Sequence, residues 1–431
     1  MIPLRPYIAS LRQSEFFKYS AALLSSNAIG QLIAIAVYPL LTRLYAPEIF
    51  GEFNWFLSLV GTLTLLTTGK YELAIVLPKS EKQATALFQL SLLITGGCFV
   101  LFGIITACWK ENIAGVFHRE SLVALLPFLP FYLLLGGIWQ SLNYYFIRQK
   151  KYYNISTYNL SQNILSSGLK GLFGWKGFTQ FGLIWGQFWG QCLATVGSVI
   201  AGRKSFKQLI YWDKEEIRMA AKTYSNFPKY ELPHGLINSI SGNLPVLLLS
   251  AYFGSREIGL FALAFMIGFR PINLLSSSIY QVLYKKIAEQ IQQKKSFQSE
   301  CRMFLKFCFF VFLPVFIGIF FIPDHWFEIL FGNKWIDSRF YLRCLLPCLF
   351  LSLIVASLSC VPDVLFKQKT AMHIEIIYLI IKLIALYSGI YFNSFDLAIL
   401  LYCGVATLML SAKVIWYFRI IRTYELTNHT L

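Results

Sequence analysis

Charged residues are few in this chain of 431: Asp, Glu, Lys and Arg make up 14% of it, where soluble globular domains carry about a quarter. Hydrophobic residues make up 56%, more than a soluble core of this length needs. A soluble enzyme and a disordered chain are excluded on that ground. Cysteine occurs nine times but never with the spacing of a zinc site or a CxxC pair; the nearest two, Cys344 and Cys348, are one helical turn apart. The cysteines lie mostly inside apolar blocks, where a thiol behaves as a small hydrophobe, so neither a disulfide scaffold nor a metal centre is expected. No glycine-rich phosphate loop occurs, and no motif requires a cofactor. A cleavable leader is not expected either. The first apolar block is too long for a leader and lacks a small-residue cleavage site, so it is read as a span that stays in the membrane.

What the chain has instead is apolar blocks of 18 to 25 residues, long enough to cross a hydrocarbon layer about 30 Å thick. The expected fold is an all-α polytopic membrane protein with twelve transmembrane helices in two parallel six-helix halves around a central cavity. The spans fall near 19–43, 53–77, 85–108, 121–146, 155–173 and 178–201, then 232–253, 257–283, 303–322, 340–361, 371–392 and 395–418. The fifth is the most polar. Between Ile155 and Phe173 it holds Ser156, Thr157, Asn159, Ser161, Gln162 and Asn163, too many to face lipid all round. Such a span packs inside the bundle or lines water.

An even number of spans leaves both termini on one side. The segments on that side, 1–18, 78–84, 147–154, 202–231, 284–302, 362–370 and 419–431, hold 24 of the 38 Lys and Arg. The positive-inside bias therefore places both termini in the cytoplasm. The net charge of +17 is explained by these loops, and nucleic acid is not an expected partner. The longest loop, 202–231, separates an N-terminal half, 1–201, from a C-terminal half, 232–431. Within it, Lys214 to Tyr224 sets Ile217, Ala220, Ala221 and Tyr224 on one side and charge on the other, the pattern of a helix lying on the inner leaflet.

The halves share a local signature. Tyr45-Ala46-Pro47-Glu48-Ile49-Phe50-Gly51-Glu52-Phe53 and Phe253-Gly254-Ser255-Arg256-Glu257-Ile258-Gly259-Leu260-Phe261 align at an offset of 208. The alignment matches Gly51 with Gly259, Phe53 with Phe261 and Tyr45 with Phe253. Both are short outer turns entering an even-numbered span. Six spans per half give the halves the same orientation, so this is a parallel repeat of the kind that supports alternating access.

The same segments resemble the bacterial polysaccharide-biosynthesis flippases, which export lipid-linked O-antigen repeat units and belong to the multidrug/oligosaccharidyl-lipid/polysaccharide exporter superfamily. The likeness runs through Tyr38, Leu41, Arg43, Tyr45, Pro47, Glu48, Phe50, Gly51 and Phe53, then Thr68-Gly69-Lys70-Tyr71-Glu72-Leu73-Ala74. In the second half it takes in Phe227-Pro228, Pro233, Asn238, Ser241, Leu244-Pro245, Gly259, Pro271 and Tyr284. Lys70 stands where that family more often has arginine, which keeps charge but gives up bidentate phosphate binding. The resemblance implies transport of an undecaprenyl-diphosphate-linked oligosaccharide across the bacterial inner membrane, a coupling cation (H+ or Na+) or the membrane potential as energy source, and a polysaccharide polymerase as a partner.

A Lys or Arg at a helix centre costs about 2.5–3.5 kcal/mol on insertion scales, so intramembrane charges need a reason. The candidates are Lys70 and Glu72 in span 2, Arg270 in span 8, and Glu375 and Lys382 in span 11. Lys70 and Glu72 are about 200° apart on a helix and share a face only if it is distorted at Gly69; the alternative is that both snorkel to the cytoplasmic interface. Arg270 precedes Pro271, which disfavours helical geometry there and points to a broken helix lining a cavity, or to a kink with Arg270 paired to Glu375. Glu375 and Lys382, seven residues apart, share one face and form a charged lining or pair with other helices. Lys413 in span 12 is expected to snorkel. Asn27 in span 1 and Asn238 and Asn243 in span 7 face helices or water, as interhelical hydrogen bonds or glycan contacts.

A multidrug cation antiporter of the same superfamily is the competing function, but the intramembrane bases outnumber the acids, Glu72 and Glu375, which suits an anionic substrate. A membrane-embedded polymerase is a third reading. It needs a large outer loop with catalytic groups, whereas the outer loops are short and Asp324, Glu328 and Asp337 form no recognisable pair. The topology is directly testable: reporter fusions at Glu111, Arg256 and Lys334 should report outside, and at Lys151, Lys214 and Lys294 inside. An outside signal from 202–231 overturns the arrangement.

Overall fold

The computed structural model describes residues 15–116, 121–203, 212–293, 296–365 and 367–428, with the side chains of the first helix described from Ala28 onward. Every regular element among them is helical. They form two compact units, one made of the chain up to Tyr45 with Glu52–Ala251, the other of Ala46–Gly51 with Tyr252–Leu431. The first unit contains α1 (Glu15–Leu44), the body of α2 (Pro47–Leu63), α3 (Glu81–Val116), α4 (Ser121–Leu125), α5 (Leu129–Arg148), α6 (Tyr152–Trp175), α7 (Gly182–Gly202), α8 (Lys214–Thr223) and α9 (Leu232–Leu249). The second contains α10 (Ser255–Gln292), α11 (Gln298–Phe307), α12 (Leu313–Phe320), α13 (Asp324–Phe331), α14 (Ser338–Leu358), α15 (Cys360–Val364), α16 (Gln368–Tyr391) and α17 (Phe395–Asn428).

Seven helical stretches among the described residues are long and apolar enough to cross a membrane: Glu81–Gly115, Leu122–Arg148, Ser255–Tyr284, Gln298–Phe320, Ser338–Val364, Gln368–Tyr391 and Phe395–Leu426. They coincide with seven of the twelve expected spans. Of the other five, the one expected at 19–43 falls on α1, whose side chains are described only from Ala28, those at 155–173, 178–201 and 232–253 fall on more polar helices, and the one at 53–77 is broken. A span that is polar or interrupted is tolerated where protein supplies its hydrogen bonds.

The polar fifth span shows how. α6 packs between α1 and α7 in the first unit. Gly186 and Gly190 of α7 carry no side chain because the backbones of Lys170 and Ser166 lie against them. From α1, the Tyr45 hydroxyl donates to the Lys170 carbonyl at 2.7 Å.

The amphipathic stretch in the long loop forms α8, capped by Asp213, whose carboxylate accepts from the amides of Glu215 and Glu216. Its apolar side is covered by protein. Ile217 and Ala220 join the core cluster that holds Tyr71, Ile75, Leu87 and Phe146. Lys82, at the start of α3, pairs with Asp213 at 3.0 Å and with Glu216 at 3.1 Å. The hydrogen bond from Lys82 holds the Asp213 carboxyl below its usual range.

In the second unit α10 runs unbroken through Pro271, against the interruption expected at Arg270–Pro271. Gly268, three residues earlier, lets Leu349 of α14 pack against its backbone. Pro271 can make no amide hydrogen bond, yet the helix continues past it. Further along α14, the Tyr341 ring meets Phe261 and Phe395 and its hydroxyl donates to Asp396 at 2.8 Å.

The two glycines aligned by the internal repeat touch each other. The first turn of α2, which belongs to the second unit, crosses the first turn of α10. A Cβ on Gly51 would collide with the Ser255 carbonyl, and one on Gly259 with the Pro47 carbonyl. Ser255 lies 208 residues after Pro47 and Gly259 lies 208 after Gly51, so the crossing is reciprocal in the numbering of the repeat. Phe50 and Trp335 pack edge to face beside it, ring centroids 4.8 Å apart. Arg256 lies 3.8 Å from Glu48 and 3.5 Å from Asp337. Overpacking typically costs about 1–3 kcal/mol, and a backbone carbonyl has little room to move. Gly259→Ala should therefore lower the melting temperature of the detergent-solubilised protein by several degrees, and so should Gly51→Ala. An unchanged melting temperature in both variants would show that the crossing is loose.

Candidate functional site

α2 stops at Leu63, and the rest of the expected second span is a run of turns followed by a 3-10 segment, Tyr71–Val76. The local sequence explains the stop. Thr62, Thr64, Thr67 and Thr68 can bond their own backbone, which competes with helix, and Gly69 supplies a left-handed turn at φ 59°. Lys70 follows in the same region at φ 64°, which costs an L-residue about 1–2 kcal/mol.

The segment is held from both sides. From α3, the Thr95 hydroxyl donates to the Thr67 carbonyl at 2.9 Å. Gly136 and Gly137 of α5 leave room for Thr64 and Thr67. Arg148, at the end of α5, donates to the carbonyls of Ile75 and Pro78 at 3.2 and 2.6 Å. The Tyr71 hydroxyl donates to the Ala221 carbonyl at 3.0 Å.

This broken geometry brings Lys70 and Glu72 together, as the sequence allowed only with a distortion at Gly69. Their charged groups are 3.9 Å apart, with the Glu72 side chain 2% exposed. Thr68 donates to Gln140 at 3.4 Å. The second carboxylate oxygen of Glu72, Oε2, is buried without a hydrogen-bond partner among the described residues. Lys70 extends toward α9, where a Cβ on Gly235 would lie 3.4 Å from its Cε and 3.9 Å from its Nζ. Between α2 and α9, Thr62 meets Ser239 at 3.2 Å, and the Asn243 amide donates to the Ser239 carbonyl at 3.1 Å and to Thr62 at 3.4 Å. A cation, a buried carboxylate and a row of hydroxyl and amide groups thus share the α2–α9 side of the first unit. Asn238 is exposed on α9, and Asn27 lies outside the described side chains.

In the second unit Glu375 pairs with Lys413 across α16 and α17, where the sequence pointed to Lys382 or Arg270. Lys413, expected to snorkel, is 6% exposed, and Glu375 is 61% exposed. The Lys382 ammonium sits 4.1 Å above the Tyr378 ring and that of Lys413 5.0 Å from it. Both lysines thus rest on one aromatic ring, a favourable setting for a desolvated ammonium. Arg270 is half-buried on α10.

One intramembrane cation was missed. Lys170 of α6 donates to Gln187 of α7 at 2.6 Å and lies 4.9 Å from the centre of the Phe53 ring. The signal was present in the sequence, because a lysine inside the most polar span is a charge as exceptional as Lys70. Gln140, Thr62 and Ser239 were also missed, being ordinary polar residues until the fold lines them up.

Comparison with known proteins gives a consistent result. A family model described as "Polysaccharide biosynthesis protein" matches residues 40–339. Teichuronic acid biosynthesis protein TuaB of Bacillus subtilis is 23% identical over 268 residues, 60% of this chain and 52% of TuaB. The match thus spans about half the length of that relative. Among solved structures, the lipid II flippase MurJ in an inward closed conformation superposes with a TM-score of 0.72 at 15% identity, covering 95% of this chain and 91% of MurJ. An inward-facing multidrug resistance MATE family transporter of the MOP superfamily gives 0.68 at 13% identity, over 94% and 99%. These likenesses establish the fold.

Removing one partner of a buried ion pair costs about 3–5 kcal/mol because the other charge is left bare. Lys70→Ala should therefore reduce folded yield, and Lys70→Met combined with Glu72→Gln should recover it. Lys70→Arg should be accepted. If Lys70→Ala alone leaves yield and melting temperature untouched, the pair is not a structural unit.

Proposed function

Since the chain belongs to the family of polysaccharide biosynthesis proteins, we propose that it is a flippase for an undecaprenyl-diphosphate-linked oligosaccharide repeat unit. It moves this lipid from the inner to the outer leaflet of the bacterial inner membrane by alternating access, for O-antigen or a related surface polysaccharide. The observation that carries the reading is Lys70. It is a cation on a broken membrane segment, beside a buried carboxylate and in line with Thr62, Ser239 and Asn243.

In this reading the diphosphate binds the Lys70 ammonium as the strongest available charge contact. The glycan hydroxyls exchange hydrogen bonds with the Thr62–Ser239–Asn243 row, and the isoprenoid tail remains in lipid. Once the diphosphate takes Lys70, Glu72 needs another positive partner, and a proton or Na+ at its unpartnered oxygen supplies it. This couples the cargo to a cation gradient. The membrane potential assists as well, since each elementary charge crossing it is worth about 2.3 kcal/mol per 100 mV.

We read the whole chain as twelve spans in two parallel six-helix halves around a central cavity, with both termini cytoplasmic. The reciprocal packing of Gly51 and Gly259 supports the repeat. A polysaccharide polymerase is the natural consumer of the flipped unit. A multidrug cation antiporter is less favoured, because Lys70 would repel a cationic drug. A polymerase activity for this chain is also less favoured: of the outer-side acids, Asp324 is paired with Arg339 and Asp337 with Arg256.

A strain lacking this chain should accumulate the lipid-linked repeat unit, identifiable by mass. The intact chain and Lys70→Arg should clear it, whereas Lys70→Ala, at matched protein level, should not. Clearance by Lys70→Ala, or no accumulated lipid in the deletion, would remove the reading.

A further inference from the structure

α8 has two working faces, and the protein covers only one. Asp213, Glu216, Ile217 and Ala220 are turned inward, where Lys82 and the Tyr71–Ile75 cluster receive them. Lys214, Arg218 and Lys222, spaced four residues apart, form one row along the exposed side. Trp212 at 53% and Met219 at 55% exposure flank that row. Glu215 is the one acid on the exposed side of the helix. The charge is thus sorted: the acids mostly face the protein and the bases mostly face away.

Position says what the exposed row meets. The inward face is seated on Tyr71, Ala74 and Ile75, the end of an apolar segment, and on the first turns of α3, a helix long and apolar enough to span. α8 therefore lies at the ends of membrane helices, where headgroups are. A tryptophan at that level is the usual interfacial anchor, and a basic row beside it matches the negative surface of an anionic leaflet. The apolar stripe is already buried in protein, so the contact is electrostatic and involves no insertion.

We infer that α8 is a strap that senses lipid headgroups: its Lys214–Arg218–Lys222 row binds anionic phospholipid of the cytoplasmic leaflet while its other face holds the segment carrying Lys70 and Glu72. The link to that segment is direct, through the Tyr71 hydroxyl on the Ala221 carbonyl. Anionic lipid then favours the docked strap and, through Tyr71, the bent path of residues 64–76. The inference depends on where α8 lies and not on the identity of the cargo.

Hydrogen exchange of the full chain in vesicles tests it. In phosphatidylcholine containing about a third phosphatidylglycerol, amides of 214–223 and 71–78 should exchange roughly threefold more slowly than in phosphatidylcholine alone. The difference should vanish near 1 M salt, where the screening length is about 3 Å. It should also vanish in Lys214→Gln/Arg218→Gln/Lys222→Gln, and persist in Lys214→Arg/Lys222→Arg. Equal exchange in the two lipids, or a lipid effect that survives the triple substitution, overturns the inference. So does protection seen in native membranes but not in phosphatidylglycerol vesicles, which would mark an acidic protein as the partner. If the triple variant loosens α3 and α5 as well, the salt titration of the unmodified chain and the arginine variant decide.

Discussion

A backbone that leaves the helix inside a membrane must find new partners for every amide and carbonyl it frees, and no water is there to help. Residues 64–70 impose that demand on the first unit. The chain meets it with turns closed on themselves, such as Leu66 to Leu63 and Gly69 to Leu66, and with hydroxyl donors from outside such as Thr95. Two adjacent glycines in α5 make the close approach possible. Only because that demand is met can Lys70 hold a left-handed conformation and bring its ammonium near Glu72. The charged pair depends on neutral hydrogen bonds made a turn earlier.

The same economy of partners governs the other buried charges. Lys170 rests on a glutamine and a phenyl ring, and Lys413 on Glu375 and a tyrosine. In each case a lysine is kept from lipid by one polar contact and one aromatic face. This arrangement uses the stem and the head of the side chain together. The positive charge inside the protein is therefore stored at several points, each already neutralised or polarised by a neighbour.

Much of this could be read in advance, and the failures have physical causes. Apolar block length located seven of the expected spans, because hydrocarbon thickness leaves little choice. The Gly51–Gly259 match was visible as a repeat, though nothing in the linear chain says that the two residues touch. Helical spacing placed Glu375 beside Lys382, but an ion pair chooses the nearest cation in space, and Lys413 comes from another helix. The break after Leu63 was written in four threonines and a glycine, yet an apolar window averages over them. Pro271 misled in the opposite direction: proline forbids one hydrogen bond, and the rest of a 38-residue helix carries on through it. The amphipathic pattern of α8 correctly showed a helix with one apolar side, but reading it as a helix on the inner leaflet gave that side to lipid, and the core around Tyr71 covers it instead.

The head of α2 packs with the second unit and its body with the first. The boundary in space therefore does not coincide with the long loop in the chain. A fragment ending in that loop would carry away the Pro47 turn that covers Gly259, and would leave behind α9, which belongs with Lys70. A cut in that loop therefore separates residues that pack together in both units. The order of the chain is not the order of its packing.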